Sequence, residues 1–350
     1  MFNDSINYET FLTIKRLMDG NSWLGRNNSI LVSGFRMQRG KIFVLQYCNP
    51  QADILTGHSR ALGVDVCIER QQVRPLLYSK TVEGYIVIES QKDRNYLILN
   101  DKDTGQSLSS NLLNNYLNEC DAIDKEDKKS ISFSLLSPKR RWVIDAPKFI
   151  VSTSNQLCKC VYDEDKHWAF PEGMYAMPAD TLPTCLSRQI ILAIYNSKLF
   201  SFYKMEYEKA HRKEKCVHFA AIKSFPIPYY INNEFRFVLD NLVDTIVAYR
   251  EKNSTIGSFK EDRKAYYFQE LIDMCIYELY FAGHMRKNNL GVVHKLMKAP
   301  FMNKELDMED KVTETYSWLM KSDNVVRQRI MLLDTRSSLI LGRIHNFYFK

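Results

Sequence analysis

Apolar residues recur at helical spacing near the two ends of the chain and at strand spacing through its middle. Phe11, Leu12, Ile14, Leu17 and Met18 share a face over Tyr8–Met18 and predict a helix that Asp19-Gly20 ends. From Trp23 the period changes. Ile30–Val32, Lys41–Tyr47 and Asp65–Glu69 read as strands, with Gly34 and Gly40 as turns. Val73–Lys80 reads as a connector, because Pro75 cannot donate to a ladder and is excluded from a central strand position. Tyr85–Glu89 and Tyr96–Leu99 are short strands, Thr104–Ile123 is helical, and Asp121–Lys129 is a charged link.

A second strand-rich block follows. Trp142–Ile144 leads into Pro147–Ser152, Leu157–Tyr162 alternates polar and apolar, and Asp163–Lys166 is predicted as the hairpin turn before Trp168–Met177 returns. Leu186–Tyr203 is predicted as one long apolar helix. Phe235–Tyr249 is amphipathic, Gln269–Phe281 is helical with Gly283 as its C-cap, and Glu314–Phe349 holds helical fragments. The pattern predicts an α+β protein: a strand-rich unit with packed helices, then a helical C-terminal arm. Residues 1–22 form an N-terminal helical connector, 23–232 the strand-rich unit and 233–350 the helical region.

Composition adds bounds. A formal net charge of +7 over 350 residues permits a nucleic-acid partner without requiring one. The 8 cysteines contain no CxxC pair, so they are expected to be reduced thiols rather than a zinc site. No apolar run reaches the ~20 residues that span a bilayer, and no signal peptide pattern opens the chain. A cytoplasmic protein without a membrane partner is expected. His167 with Asp163, Glu164 and Asp165 lacks the spacing of a zinc or calcium site, and no GxSxG is present, so neither a metal nor a catalytic residue is assigned.

Three separated segments carry a resemblance. The first is Val73–Lys80 (VRPLLYSK), followed by YLIL. The second is Ala146–Ser152 (APKFIVS), followed by VYDEDKHWAFPEGMYAM. The third is Leu192–Lys198 (LAIYNSK), followed by His218–Pro228 (HFAAIKSFPIP) and the helical strings LVDTIVAYRE and LIDMCIYELYF. In this order they resemble the TaqI-like C-terminal specificity domain of N6-adenine DNA methyltransferases, which also occurs in single-chain restriction-modification enzymes. The resemblance runs from about Trp23 to Gly283. It implies that residues 23–232 form a DNA target-recognition domain.

The chemical half of such an enzyme has no counterpart here. There is no glycine-rich loop for S-adenosylmethionine and no Asn/Asp-Pro-Pro-Tyr/Phe tetrapeptide. The nearest string, Asn49-Pro50-Gln51-Ala52, lacks the second proline and the aromatic that would stack on an adenine. The resemblance therefore implies sequence-specific binding of double-stranded DNA by a chain without its own cofactor. S-adenosylmethionine is expected on a methyltransferase catalytic subunit or domain. Whether that partner is a separate polypeptide or part of a longer chain stays open. So do a type I-like specificity subunit and a protein-interaction or regulatory module that does not read DNA.

Candidate DNA contacts follow from charge. Lys204–Lys215 reads as a basic loop, with Lys204, Lys209, Arg212, Lys213 and Lys215 placed to neutralise phosphates. Lys139-Arg140-Arg141 is the densest basic run, and arginine pairs with guanine in the major groove. Arg36 and Arg39 flank a turn around Gln38, whose amide suits adenine. His218 and Tyr203 read as packing groups of the helix–loop junction.

Overall fold

A computed structural model of the chain describes residues 2–35, 40–88, 94–99, 111–124, 138–153, 157–165, 167–213, 216–253 and 262–347, leaving aside the side chains of 2–8, 40, 121, 123–124 and 138–140. The fold is α+β with a helical C-terminal region. The first half runs α1 (Phe2–Asp19), β1 (Leu24–Gly25), β2 (Val32–Ser33), α2 (Gly40–Phe43), β3 (Val44–Pro50), β4 (Ile54–Ser59), β5 (Val64–Glu69), β6 (Val73–Pro75), β7 (Tyr96–Ile98), α3 (Asn111–Asp124) and α4 (Pro138–Ile144). Then come β8 (Lys148–Ser152), β9 (Lys159–Asp163), β10 (Met174–Pro178), α5 (Arg188–Asn196), α6 (Lys198–Ala210), α7 (Val217–Ser224) and β11 (Ile227–Pro228). The helical region holds α8 (Asn233–Asn253), α9 (Arg263–Tyr280), α10 (Ala282–Lys287), α11 (Val293–Leu296), α12 (Met308–Met320), α13 (Val325–Met331), α14 (Leu333–Arg336) and α15 (Leu341–Asn346).

Among the described residues the strands form three sheets. One is five-stranded in the order β5-β4-β3-β7-β6, one four-stranded in the order β2-β10-β8-β9, and one pairs β1 with β11. The four-stranded sheet is a partition between two cores. Side chains alternate faces along a strand. Phe149 and Val151 of β8, Cys160 of β9, and Tyr175 and Met177 of β10 face the helices. Ile150, Val161, Met174 and Ala176 face the five-stranded sheet. With both faces covered, every residue of β8 and β10 is buried, Lys148 and Ser152 at the ends of β8 included.

The helical core takes in α1 as well as α5–α15. Phe11 packs against Tyr203 with ring centroids 5.4 Å apart, and the Arg343 guanidinium donates to the Thr10 hydroxyl at 3.1 Å. One core therefore runs from Phe11 to Ile344 and crosses both 22/23 and 232/233. The β1–β11 pair sits on the same seam, where Tyr229 N donates to Trp23 O and the Trp23 indole donates to Leu279 O.

Several elements depart from their sequence pattern. β3 starts at Val44 because Gly40–Phe43 turns helically first. Trp142–Ile144 lies in α4 rather than a strand; Pro138 suits a first helical turn, and the Arg141–Asp145 ion pair at i,i+4 ties off the last one. Tyr85–Glu89 makes only isolated bridges among its described residues. Gly283 lies inside α10, and α9 is capped by Phe281 instead.

β9 and β10 are not hairpin partners. β10 pairs with β8, register Ala176↔Ile150. The outer edge of β9 is taken: Tyr85 N donates to Cys160 O, and the Asn196 amide accepts from Cys160 N and donates to Cys160 O, both at 2.9 Å. The returning chain instead bridges Ala169 to Leu76 and Pro171 to Phe35. Gly34 permits that approach, since a Cβ there would lie 1.9 Å from the Pro171 carbonyl oxygen.

The long apolar helix is broken at Ser197. Its hydroxyl donates to Ile194 O at the end of α5 and accepts from Phe200 N at the start of α6. Beyond the break, the stretch read as a basic loop is helical to Ala210. Its alternating charges pair along the helix, Lys204 with Glu208 and Lys209 with Glu206.

Candidate nucleic-acid interface

A broad concave surface follows the edge strand β6. Pro75 sits on this edge, paired with Tyr96 of β7, as its missing N–H requires. The groove has an open end and an enclosed end that share Arg70, Pro75 and His167.

The enclosed end is a cavity of about 390 Å³. Tyr78, Tyr96 and Trp168 supply its aromatic surface; Arg70, Lys80 and Arg94 supply positive charge; Asn95 and Thr81 supply neutral polar groups. No carboxylate is among the described residues that line it. Arg70 lies over the buried Tyr96 ring at 4.9 Å from the centroid, a cation–π contact that fixes the guanidinium at the cavity wall. Asn95 donates to the Tyr78 hydroxyl at 2.8 Å and so orients that ring.

The open end adds Arg74 and four carboxylates, Asp53, Glu69, Asp145 and Asp165. Two of the four are engaged. Glu69 accepts from Leu112 N and Leu113 N at the start of α3. Asp145 is shared by Arg74 at 3.3 Å and Arg141 at 2.6 Å. Among the described residues, the carboxylates that line the groove all lie at its open end.

His167 and Trp168 are held from beneath. Asp163 accepts from His167 N at 2.9 Å and from Trp168 N at 3.0 Å, while its carboxylate pairs with the buried Lys148 ammonium. The Trp168 ring meets His167 edge-on at 4.8 Å. Burial pulls the Lys148 pKa below its usual range, against the pull of Asp163. The acid-rich string Asp163–Asp165 is therefore split: its first member is structural and turned inward, the other two are exposed.

Of the residues singled out by charge, Arg141 alone reaches this groove among those whose side chains are described, through its share of Asp145. Lys139 and Arg140 lie on α4, but their side chains fall outside the described set, and Arg36, Gln38, Arg39 and Lys215 lie outside the described residues. Lys204 is only 7% exposed; its ammonium pairs with Glu208 at 3.0 Å and donates to Thr153 O, so it is withdrawn from any phosphate. Lys209 is paired with Glu206, whereas Arg212 and Lys213 are exposed in the turn after α6. His218, on α7, pairs with Glu208, and the Tyr203 hydroxyl donates to Ser224 O.

These residues do not form one site. Lys204 meets Thr153, just past the end of β8, whereas His167 and Trp168 hang from Asp163, opposite Lys148 at the start of β8. The α6–α7 turn and the groove therefore lie at opposite ends of the four-stranded sheet. Arg70, Arg94 and Trp168 escaped the sequence reading because each is a single residue in a different segment. The one usable signal was that Arg74, Tyr78 and Lys80 fall in VRPLLYSK and Trp168 in VYDEDKHWAFPEGMYAM, two of the strings that carry the resemblance.

The described residues contain no group of three or more His, Cys, Asp or Glu placed to hold a metal ion, and no helix long and apolar enough to cross a membrane. No protein-family model matches the sequence, and no curated protein matches it significantly.

Proposed function

We propose that this chain is the sequence-reading part of an N6-adenine DNA methylation or restriction-modification system, binding double-stranded DNA along the β6 groove. One observation carries the DNA reading: Arg70, Lys80 and Arg94 converge with Tyr78 and Trp168 on a cavity that has no carboxylate among its described lining residues. Cations beside partly exposed aromatic side chains suit a phosphate backbone and its bases together. Arg74 and Arg141, forked on Asp145, extend the basic edge. The adenine-methylating partner, which would carry S-adenosylmethionine, is inferred from the sequence resemblance alone.

The test is the salt dependence of duplex binding by the purified chain, read by fluorescence anisotropy. Each phosphate contact contributes about 0.9 to the slope of log K against log salt. Replacing Arg70 and Arg74 together by Ala should weaken binding and lower the slope by about 2. Replacing Arg212 and Lys213 by Ala probes the opposite end of the sheet. A slope changed only by that second pair would move the interface to the α6–α7 turn. No duplex binding, with or without the methyltransferase partner, would overturn the proposal.

A further inference from the structure

We propose that the enclosed end of the groove takes one nucleotide unstacked from the duplex, with its base against Trp168 and Tyr78 and its phosphate on the Arg70–Lys80–Arg94 side. This rests on the DNA-binding reading above and names what the cavity holds. The paired duplex presents bases only by their edges, so an edge-reading surface needs a convex or ribbon-like element that enters a groove. The β6 edge instead offers a recess of about 390 Å³ with Tyr78, Tyr96 and Trp168 among its lining residues. Ring faces are useful to a base only when the base has left its stack.

The recess is built to hold its shape. Tyr96 is its buried floor, with Arg70 packed over it. Tyr78 is oriented by Asn95 and, through its carbonyl, by the Thr81 hydroxyl at 2.8 Å. Trp168 hangs from Asp163 by its backbone N–H. Three walls are thus fixed before any ligand arrives, so little ordering cost falls on binding. Asn95, Thr81 and His167 lie where the polar edge of a base would need partners. A free mononucleotide shares this chemistry, and the test separates the two sources.

Duplexes identical except for one unpaired, bulged adenine or thymine should bind more tightly than the fully paired duplex, by about tenfold, the value of one base–aromatic stack. Trp168→Ala should erase that preference and Trp168→Phe should keep most of it. Because Trp168 also packs against the core, Val87→Trp, which fills the recess from its wall, is the second variant. It should erase the preference while leaving the salt slope of duplex binding, which counts phosphate contacts, unchanged. Paired-duplex binding with no gain from a bulge, or a gain that survives both Trp168→Ala and Val87→Trp, would overturn the cavity assignment and leave the DNA-binding reading standing. Binding of free deoxyadenosine monophosphate without a bulge preference would assign the recess to a free nucleotide and overturn it too. Failure to bind any duplex would overturn both.

Discussion

Asp163 and Lys148 face each other across the β8–β9 pair with Oδ2 2.5 Å from Nζ, and both side chains are sealed from solvent. The same carboxylate carries the backbone of His167 and Trp168. The His167–Trp168 side of the groove and the sheet between the cores therefore depend on one buried ion pair. Removing one partner of such a pair costs about 3–5 kcal/mol, because the other is left charged and unpaired. Asp163→Ala should lower the urea midpoint accordingly and blunt any response of Trp168 fluorescence to DNA. Lys148→Met, which leaves the His167 and Trp168 contacts in place, should disturb the groove less. Equal effects of the two on DNA binding would show that Asp163 does not position Trp168.

A second buried cluster predicts the pH profile of stability. Asp273 is fully buried, accepts from Lys198 N at 2.8 Å, and burial raises its pKa from 3.8 to about 6. A carboxyl that holds its proton more tightly when folded costs stability as pH rises from about 4 through about 6. Its neighbour Glu270 does the opposite. Burial pushes it up, but His345 and Lys198 outweigh that and bring it down to about 2. Its contribution is complete above about 4.5 and is lost as pH falls toward 2. Asp273→Asn retains an acceptor for Lys198 N, so chemical denaturation across this range should lose the decline between about pH 4 and 6 and keep the acid limb. An unchanged decline would exclude Asp273 as its source.

Asn196 substitutes for a missing strand at the edge of β9. Its side chain satisfies both polar groups of Cys160, but the two are not equally dependent on it, because Cys160 O also accepts from Tyr85 N. Asn196→Leu should therefore orphan mainly the Cys160 N–H and cost about 1–3 kcal/mol. Hydrogen exchange at Cys160 should accelerate more than at Val161, whose N–H the substitution does not touch.

Lys204 has a structural role. It is buried against Glu208 and Thr153 O, so Lys204→Met should lower thermal stability and leave the salt slope of duplex binding unchanged. A slope reduced by about 1 would mean that Lys204 reaches a phosphate after all.

Much of the architecture was legible because burial writes itself into the sequence. β8 and β10, covered on both faces, carry the apolar strings Phe149–Val151 and Met174–Met177, and α8 and α9 kept a helical stripe. What was misread depended on partners distant in sequence. Trp142–Ile144 has the β-branched composition of a strand, yet Pro138 and the Arg141–Asp145 pair turn it into a helix. Lys204–Ala210 looks like a loop until its lysines and glutamates are seen to pair along α6. The groove was the least legible part, since folding alone brings Arg70, Lys80, Arg94 and Trp168 together.

The alternating faces of β8, β9 and β10 also constrain how this protein can diverge. Ile150, Val161, Met174 and Ala176 answer to the five-stranded sheet, and Phe149, Val151, Cys160, Tyr175 and Met177 answer to the helices. A sequence that packs a different five-stranded sheet here must change the first set without moving the second, although the two alternate residue by residue along the same strands. Neighbouring positions on these strands should therefore drift independently of each other, while each covaries with residues far away in the chain.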